Sequence, residues 1–259
     1  MAQPASAGVQ VRGVARSHRV TASTYRTKRD YAVAWIRQAI LTGQLEPGRH
    51  VRQEELVREL KISPTPIREA IRVLEAEGVL RSRPHRDVTV ASLSGEELLE
   101  VYWARVGLES VAARLAVSLN SPNETARLAA LIQRLQDEMA RRFRAGQAHR
   151  VPELNMRFHF ALIEASRSAL LLKMCRQLWV NLPHHFFWQR PARARTALDQ
   201  HDAIVRAVRT GDADLAEAAV RAHVQWAAET LDVIHEAHAL TSGTRHGRGT
   251  ALAAGESGE

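Results

Sequence analysis

The chain is nearly free of cysteine. Cys175 is the only one in 259 residues, which excludes an intrachain disulfide and a thiolate zinc cluster and fits a reducing compartment. It sits in the apolar run LLLKMCRQLW and reads as a small buried residue. Long apolar runs are also lacking. No stretch approaches the ~20 apolar residues of a membrane span, and the N-terminus has no apolar core of a secretory signal. Residues 1–27 form instead a polar, Arg-bearing arm expected to be disordered, as is the Gly/Ser/Ala-rich tail 241–259. The expected setting is the cytoplasm, away from membranes.

What is present is an ordinary globular share of apolar residues, 45%, enough for two domains with separate cores. The charge is uneven. Residues 1–92 hold 16 Lys and Arg against 9 Asp and Glu, and residues 93–259 hold 20 against 19. Phosphate attraction explains a positive excess confined to the first part, although a solvated basic face gives the same asymmetry.

Within residues 28–92 the pattern is helical, then extended. Tyr31 to Thr42 places Val33, Ile36 and Ile40 on one stripe, and Gly43 suits a left-handed helix end. A second helix is expected over Gln53 to Leu60, after which Lys61 turns the chain. Ser63 is an N-cap for a third helix, with Pro64 at its first position and Pro66 still in the first turn. Ile67, Ile71 and Leu74 point inward. Arg68 and Arg72, four apart, share another face, with Thr65 near their N-terminal side. Gly78 ends this helix, and two strands follow, Leu80–Arg83 and Val88–Ala91, joined by Pro84-His85-Arg86-Asp87. This order describes a winged helix-turn-helix, whose third helix enters the DNA major groove. There Arg68 can grip a guanine edge bidentately, and Ser63, Thr65 and Arg72 can reach bases or phosphates. The wing tip, His85 and Arg86, can enter the neighbouring minor groove. A winged helix used for protein contacts is the alternative, but it has no need of Arg at groove-facing positions.

The run from Ile36 to Val90 resembles the DNA-binding domain of the GntR family. Its Leu-x-Pro-Gly loop, its Ser-x-Thr-Pro-x-Arg-Glu-Ala turn and helix, and its Leu-Glu-x-Glu-Gly exit are all present. The resemblance implies a homodimeric regulator of a short inverted-repeat operator, with repression the expected sense, and base contact by Arg68. Two positions depart from the family pattern: Pro64 stands where many members carry Arg, and Asp87 where the wing usually has Gly.

From Ser94 onward the periodicity is helical throughout, so the fold class is mainly α: a winged helix-turn-helix, then an all-helical bundle over residues 93–240. Helices are expected over Gly95 to Val117, from Ser121-Pro122-Asn123-Glu124 to Phe143, over Val151 to Ala165, Ala169 to Asn181, Ala192 to Thr210, and Ala213 to His238. Such a bundle can enclose a ligand cavity. Polar residues fall on its inward faces. Asn155 and His159 are one turn apart; His201 and His223 lie in apolar patterns on two other helices. Three imidazoles and an amide can close on one divalent ion such as Zn, Ni or Fe, or can be hydrogen-bonded core residues.

Residues 93 to 238 resemble the all-helical FCD domain of the FadR subgroup, on the pieces EELLEVYWARVGLESVAARLA, LNMRFHFALIEAS and HDAIVRAVRTGDADLAEAAVRAHV. That resemblance implies a divalent metal held by Asn155, His159, His201 and His223, with Asn155 replacing the more usual Asp. It places Arg105 at the family's effector arginine, where a guanidinium pairs with the carboxylate of a small metabolite; an interhelix ion pair is the competing role. The aromatic run Phe186-Phe187-Trp188, after His184-His185, caps the cavity or rests as a loop on the bundle end. Arg190, Arg193 and Arg195 read as a solvated turn, with anion contact the alternative.

A ligand-controlled transcription factor is the leading functional reading. A metal-dependent hydrolase with an accessory DNA-like domain is the rival. It lacks a placed acid or base, since there is no His-Glu-x-x-His and Glu164 lies five residues past His159. A protein-interaction adaptor is a third reading and predicts no salt-dependent DNA affinity.

Overall fold

A computed structural model describes residues 25–82, 88–180, 182 and 187–231. In chain order the N-terminal part holds α1 (Lys28–Leu41), β1 (His50–Val51), α2 (Gln53–Leu60), α3 (Pro64–Ala76), β2 (Leu80–Arg81) and β3 (Val88–Val90). The remainder is helical: α4 (Gly95–Ser118), α5 (Pro122–Arg144), a short 3₁₀ turn (Ala148–Arg150), α6 (Val151–Ala165), α7 (Ala169–Trp179), α8 (Pro191–Thr210) and α9 (Ala213–Glu229).

α1 starts three residues earlier than its apolar stripe suggests because Thr27 caps it, its hydroxyl accepting from the Asp30 N–H at 3.0 Å. α2 ends at Lys61, whose φ of 55° is left-handed. α3 buries Ile67, Ala70, Ile71 and Leu74 against α1 and α2. Its cap differs from expectation, for Ser63 makes no side-chain capping bond. The reason is local. An N-cap hydroxyl accepts from the second or third helical N–H, and the third position here is Pro66, which has none. The expected two-stranded wing is a three-stranded sheet in the order β1-β3-β2, both pairs antiparallel. The additional strand β1 is two residues long, too short for periodicity to reveal. Gly48 N–H donates to Val90 O and Val90 N–H to Arg49 O, each at 2.9 Å, and this ties it to the wing.

Both long helices that open the second part carry full capping boxes. Ser94 and Glu97 bond reciprocally at the head of α4, and Ser121 and Glu124 at the head of α5. α9 packs along α4, α5 against α6 and α8, and α4 against α6. α7 ends at Trp179 rather than Asn181, and α9 at Glu229 rather than His238, where Thr230 turns back to bond the Trp226 carbonyl at 2.8 Å; residues 232–238 of that expected helix lie outside the described residues. Two separate hydrophobic clusters result, one in each part.

Candidate metal centre and nucleic-acid interface

Three imidazoles meet in the core of the helical part. His159 comes from the buried face of α6, between Phe158 and Leu162; His201 comes from α8 and His223 from α9. All three are buried, and one nitrogen of each lies within 4.8 Å of the others. Each ring is steered by a neighbour. His159 Nδ1 lies 2.7 Å from Glu109 Oε2. A carboxylate only accepts, so the proton is on Nδ1 and the Nε2 lone pair is left facing inward. That Nε2 is buried with no hydrogen-bond partner. His223 Nδ1 lies 2.9 Å from the Gln200 carbonyl oxygen, which directs its Nε2 inward in the same way. His201 stacks on Phe158, ring centroids 4.4 Å apart, and its buried Nδ1 also has no partner.

The donor set fits a divalent cation. Two nitrogens bound to one ion at ~2.1 Å stand roughly 3.0–3.4 Å apart, and His201 Nε2 and His223 Nε2 are 3.2 Å apart. Burial, reinforced by the neighbouring imidazoles, pushes the pKa of His201 and of His223 well below the ordinary value, so both are held as neutral, lone-pair-bearing ligands. Asn155, one turn before His159, is buried and opens with His159 and His223 onto a cavity of about 40 Å³. His201 stands behind that wall, so the structure brings the three histidines together, and Asn155 shares the cavity wall with two of them.

Arg105 also lines the cavity. It is ion-paired, but within its own helix rather than between helices. Its Nε donates to Glu109 Oε1 at 2.6 Å, four residues on along α4, so the ion pair is intrahelical. Trp179 Nε1 donates to the same oxygen at 2.7 Å. Glu109 thus accepts from an arginine, an indole and His159 of the imidazole cluster. Burial would raise its pKa, but the charge of Arg105 and the bond from His159 outweigh that and hold the carboxyl well below its usual range. Arg105 lies 4.3 Å over the Trp179 ring and 4.8 Å from that of Tyr102. Neither Glu109 nor Trp179 was picked out from sequence. The available signal was Arg105 and Glu109 at i, i+4 inside the buried stripe of Tyr102, Val106 and Ala113. Burial and the Glu109 charge push the Cys175 thiol up to about 12, in keeping with an inert core residue.

Phe187 and Trp188 line the cavity, so that part of the aromatic run is a wall; His184, His185 and Phe186 lie outside the described residues. The solvated-turn reading fails for Arg193, which sits in the first turn of α8 with its guanidinium over the rings of Phe187 and Trp226. One aromatic partner, Phe187, lies six residues before it, and the other, Trp226, comes from α9, which a local reading of RPARAR cannot supply.

On the N-terminal part, Ser63, Thr65, Arg68 and Arg72 are all exposed on α3. Arg68 Nη2 donates to Thr65 Oγ1 at 3.4 Å, and Arg68 and Arg72 border an open cleft between α3, the head of α2 and β3. Because Ser63 has no capping bond, its hydroxyl is available for an outside partner. His85 and Arg86, the expected wing tip, lie outside the described residues, with Asp87.

Residues 28–90 match the family model described as bacterial regulatory proteins, gntR family, and residues 100–225 match that of the FCD domain. A relative from Paenarthrobacter nicotinovorans, described as a "Probable D-xylose utilization operon transcriptional repressor", is 31% identical over 212 residues, 81% of this chain and 90% of that protein. The HTH-type transcriptional regulator McbR of Escherichia coli is 27% identical over 181 residues, 68% of this chain and 80% of that one. The solved structure of E. coli McbR/YncC superposes with a TM-score of 0.73 at 23% identity, covering 82% of this chain and all of that one, and so shares the fold.

Proposed function

The chain belongs to the GntR family of bacterial regulatory proteins and carries an FCD domain, and from that premise we propose that it is a homodimeric repressor. In this reading a small carboxylate, bound beside a divalent metal ion in the helical domain, controls its hold on a short inverted-repeat operator. The chain is a transcriptional regulator and not an enzyme, like its named relatives. In the proposal, residues 28–92 read DNA and residues 93–240 bind the effector and form the dimer.

One observation carries the effector half: three buried imidazoles converge with an unpartnered nitrogen, His159 Nε2, among them. Leaving such a nitrogen unpaired costs about 1–3 kcal/mol, and a cation removes the cost. Asn155, His159, His201 and His223 hold the ion. When bound, it offers a Lewis-acid position to a carboxylate oxygen. The residues do the rest: Glu109 and Gln200 fix the imidazole tautomers, Arg105 presents its guanidinium to the cavity, and Phe187 and Trp188 limit access of water. On the DNA side, Arg68 reads a base edge in the major groove, Ser63, Thr65 and Arg72 position α3 on bases and phosphates, and His85 and Arg86 serve the wing.

Mobility shifts on the chain's own promoter region test the output. The wild type should give a sequence-selective complex, and Arg68→Ala should lose about 1–3 kcal/mol of selectivity. Elemental analysis of protein purified without chelator or a nickel column tests the input, with about one ion per chain expected and loss of ligand response in His159→Ala. A complex with no selectivity removes the DNA half of the proposal. Absence of metal together with an unchanged response in His159→Ala removes the other half.

A further inference from the structure

Two arginines line the cavity, and their charges are handled differently. Arg105 is neutralised by Glu109 at 2.6 Å. Arg193 has no carboxylate partner among the described residues. Its Nη1 donates to Thr230 O at 2.9 Å and its Nη2 to Ala227 O at 3.0 Å, both neutral carbonyls at the end of α9. Phe187 lies 4.4 Å from its guanidinium carbon and Trp226 lies 5.1 Å away. Carbonyls and ring faces attract a cation, but they do not cancel it. Its place in the first turn of α8 adds the unfavourable end of the helix dipole, and removal from water lowers its pKa to about 10, still charged at neutral pH. A cation kept partly dry, with no counter-charge among the described residues, is suited to receive an anion.

Its place on the cavity wall says which anion. Asn155, His159 and His223 open onto the same space. The Tyr102 ring, under Arg105, meets the Phe187 ring, under Arg193, edge to face with centroids 5.9 Å apart. Arg193 and Arg105 are thus joined through this ring pair, and both guanidiniums line the cavity onto which the imidazoles open. We infer that Arg193 receives a second acidic group of the effector, so that the cavity selects small dicarboxylates over monocarboxylates. This rests on the carboxylate site proposed above and adds to it the specificity for a diacid.

The test is calorimetric titration of the full chain, supplied with one equivalent of zinc, with propionate, butyrate and valerate and then with malonate, succinate and glutarate. A charge-assisted bond to Arg193 should make the best diacid bind about tenfold or more tighter than the monoacid of equal carbon number. Arg193→Gln should bring that ratio close to one while leaving monoacid affinity and zinc content unchanged. Arg193→Lys keeps the charge but not the planar fork, and should lower the ratio several-fold; it decides the matter if the Gln variant does not fold. A residue that only caps α9 would lower thermal stability in both variants without moving the ratio. Equal affinities for mono- and diacids in the wild type, or an unchanged ratio in Arg193→Lys, overturns the inference while leaving the carboxylate site standing. Failure of every acid to bind, or binding that survives His159→Ala, overturns both.

Discussion

Glu109 concentrates the chemistry of the helical domain into one side chain. It fixes His159 by its tautomer, Arg105 by its charge and Trp179 by its indole N–H. Glu109→Gln keeps the shape but offers an N–H to one of the three donors. If that N–H faces His159, the imidazole must carry its proton on Nε2, pointing into the centre. Zinc affinity should then fall by 10- to 100-fold, measured by competition with a chromophoric chelator. The variant also leaves Arg105 buried without its counter-charge, so denaturant unfolding should show a loss of about 3 kcal/mol or more. The histidines themselves make a pH prediction. Their pKa values are depressed in the folded chain, so below the unfolded value of about 6.5 the unfolded state binds more protons. Stability of chelator-treated protein should be level above that pH and fall below it, by up to about 1.4 kcal/mol per pH unit for each of His201 and His223, until the folded values are reached. Thermal melts from pH 8 to 5 in the presence of a chelator check this. Glu109 adds nothing in that window, because a depressed carboxylate loses its contribution only below its unfolded value.

Elements were the most legible scale. Apolar periodicity and caps located every α-helix described, and the heads of α4 and α5 follow from Ser-x-x-Glu boxes written plainly in the sequence. What escaped was either too short or non-local. β1 has two residues and exists only because β3 pairs with it. The clustered histidines were legible as inward polar residues, whereas Glu109, Gln200 and Arg193 owe their roles to partners elsewhere in the chain or on another helix. The Ser63 cap was expected from residue type and failed because a proline two residues inside the helix removed the donor. That contrast is measurable. Ser94→Ala and Ser121→Ala each remove a capping bond and should cost ~1 kcal/mol, whereas Ser63→Ala should change stability by less than about 0.5 kcal/mol. If Ser63→Ala destabilises as much as the other two in urea unfolding, the uncapped geometry of α3 is wrong.

At the scale of the whole molecule the question is how an event at the imidazoles reaches α3. The two parts have separate cores and meet over a small contact. Val180, just beyond α7, packs against the N-terminal cluster, and Gln38 of α1 donates to Glu153 of α6 at 3.0 Å. Glu153 precedes Asn155 by two residues and His159 by six, on one rigid helix. α1 in turn packs along α3. Any tilt of α6 on ligand binding is therefore delivered to the helix that supports the DNA-reading element, and the Gln38–Glu153 bond is a polar link at that junction. Coupling between sites in such switches is typically 1–3 kcal/mol. Removing this half-buried hydrogen bond takes about 1 kcal/mol of it. Gln38→Ala and Glu153→Ala should therefore leave zinc and carboxylate affinity, and ligand-free operator affinity, within about threefold of wild type. The ligand-induced change in operator affinity should shrink by about fivefold in each. The double variant should shrink it no further, since both substitutions break the same bond. Mobility shifts with and without saturating ligand measure all four states of the cycle, and additive losses in the double variant would show that the two side chains transmit by separate routes.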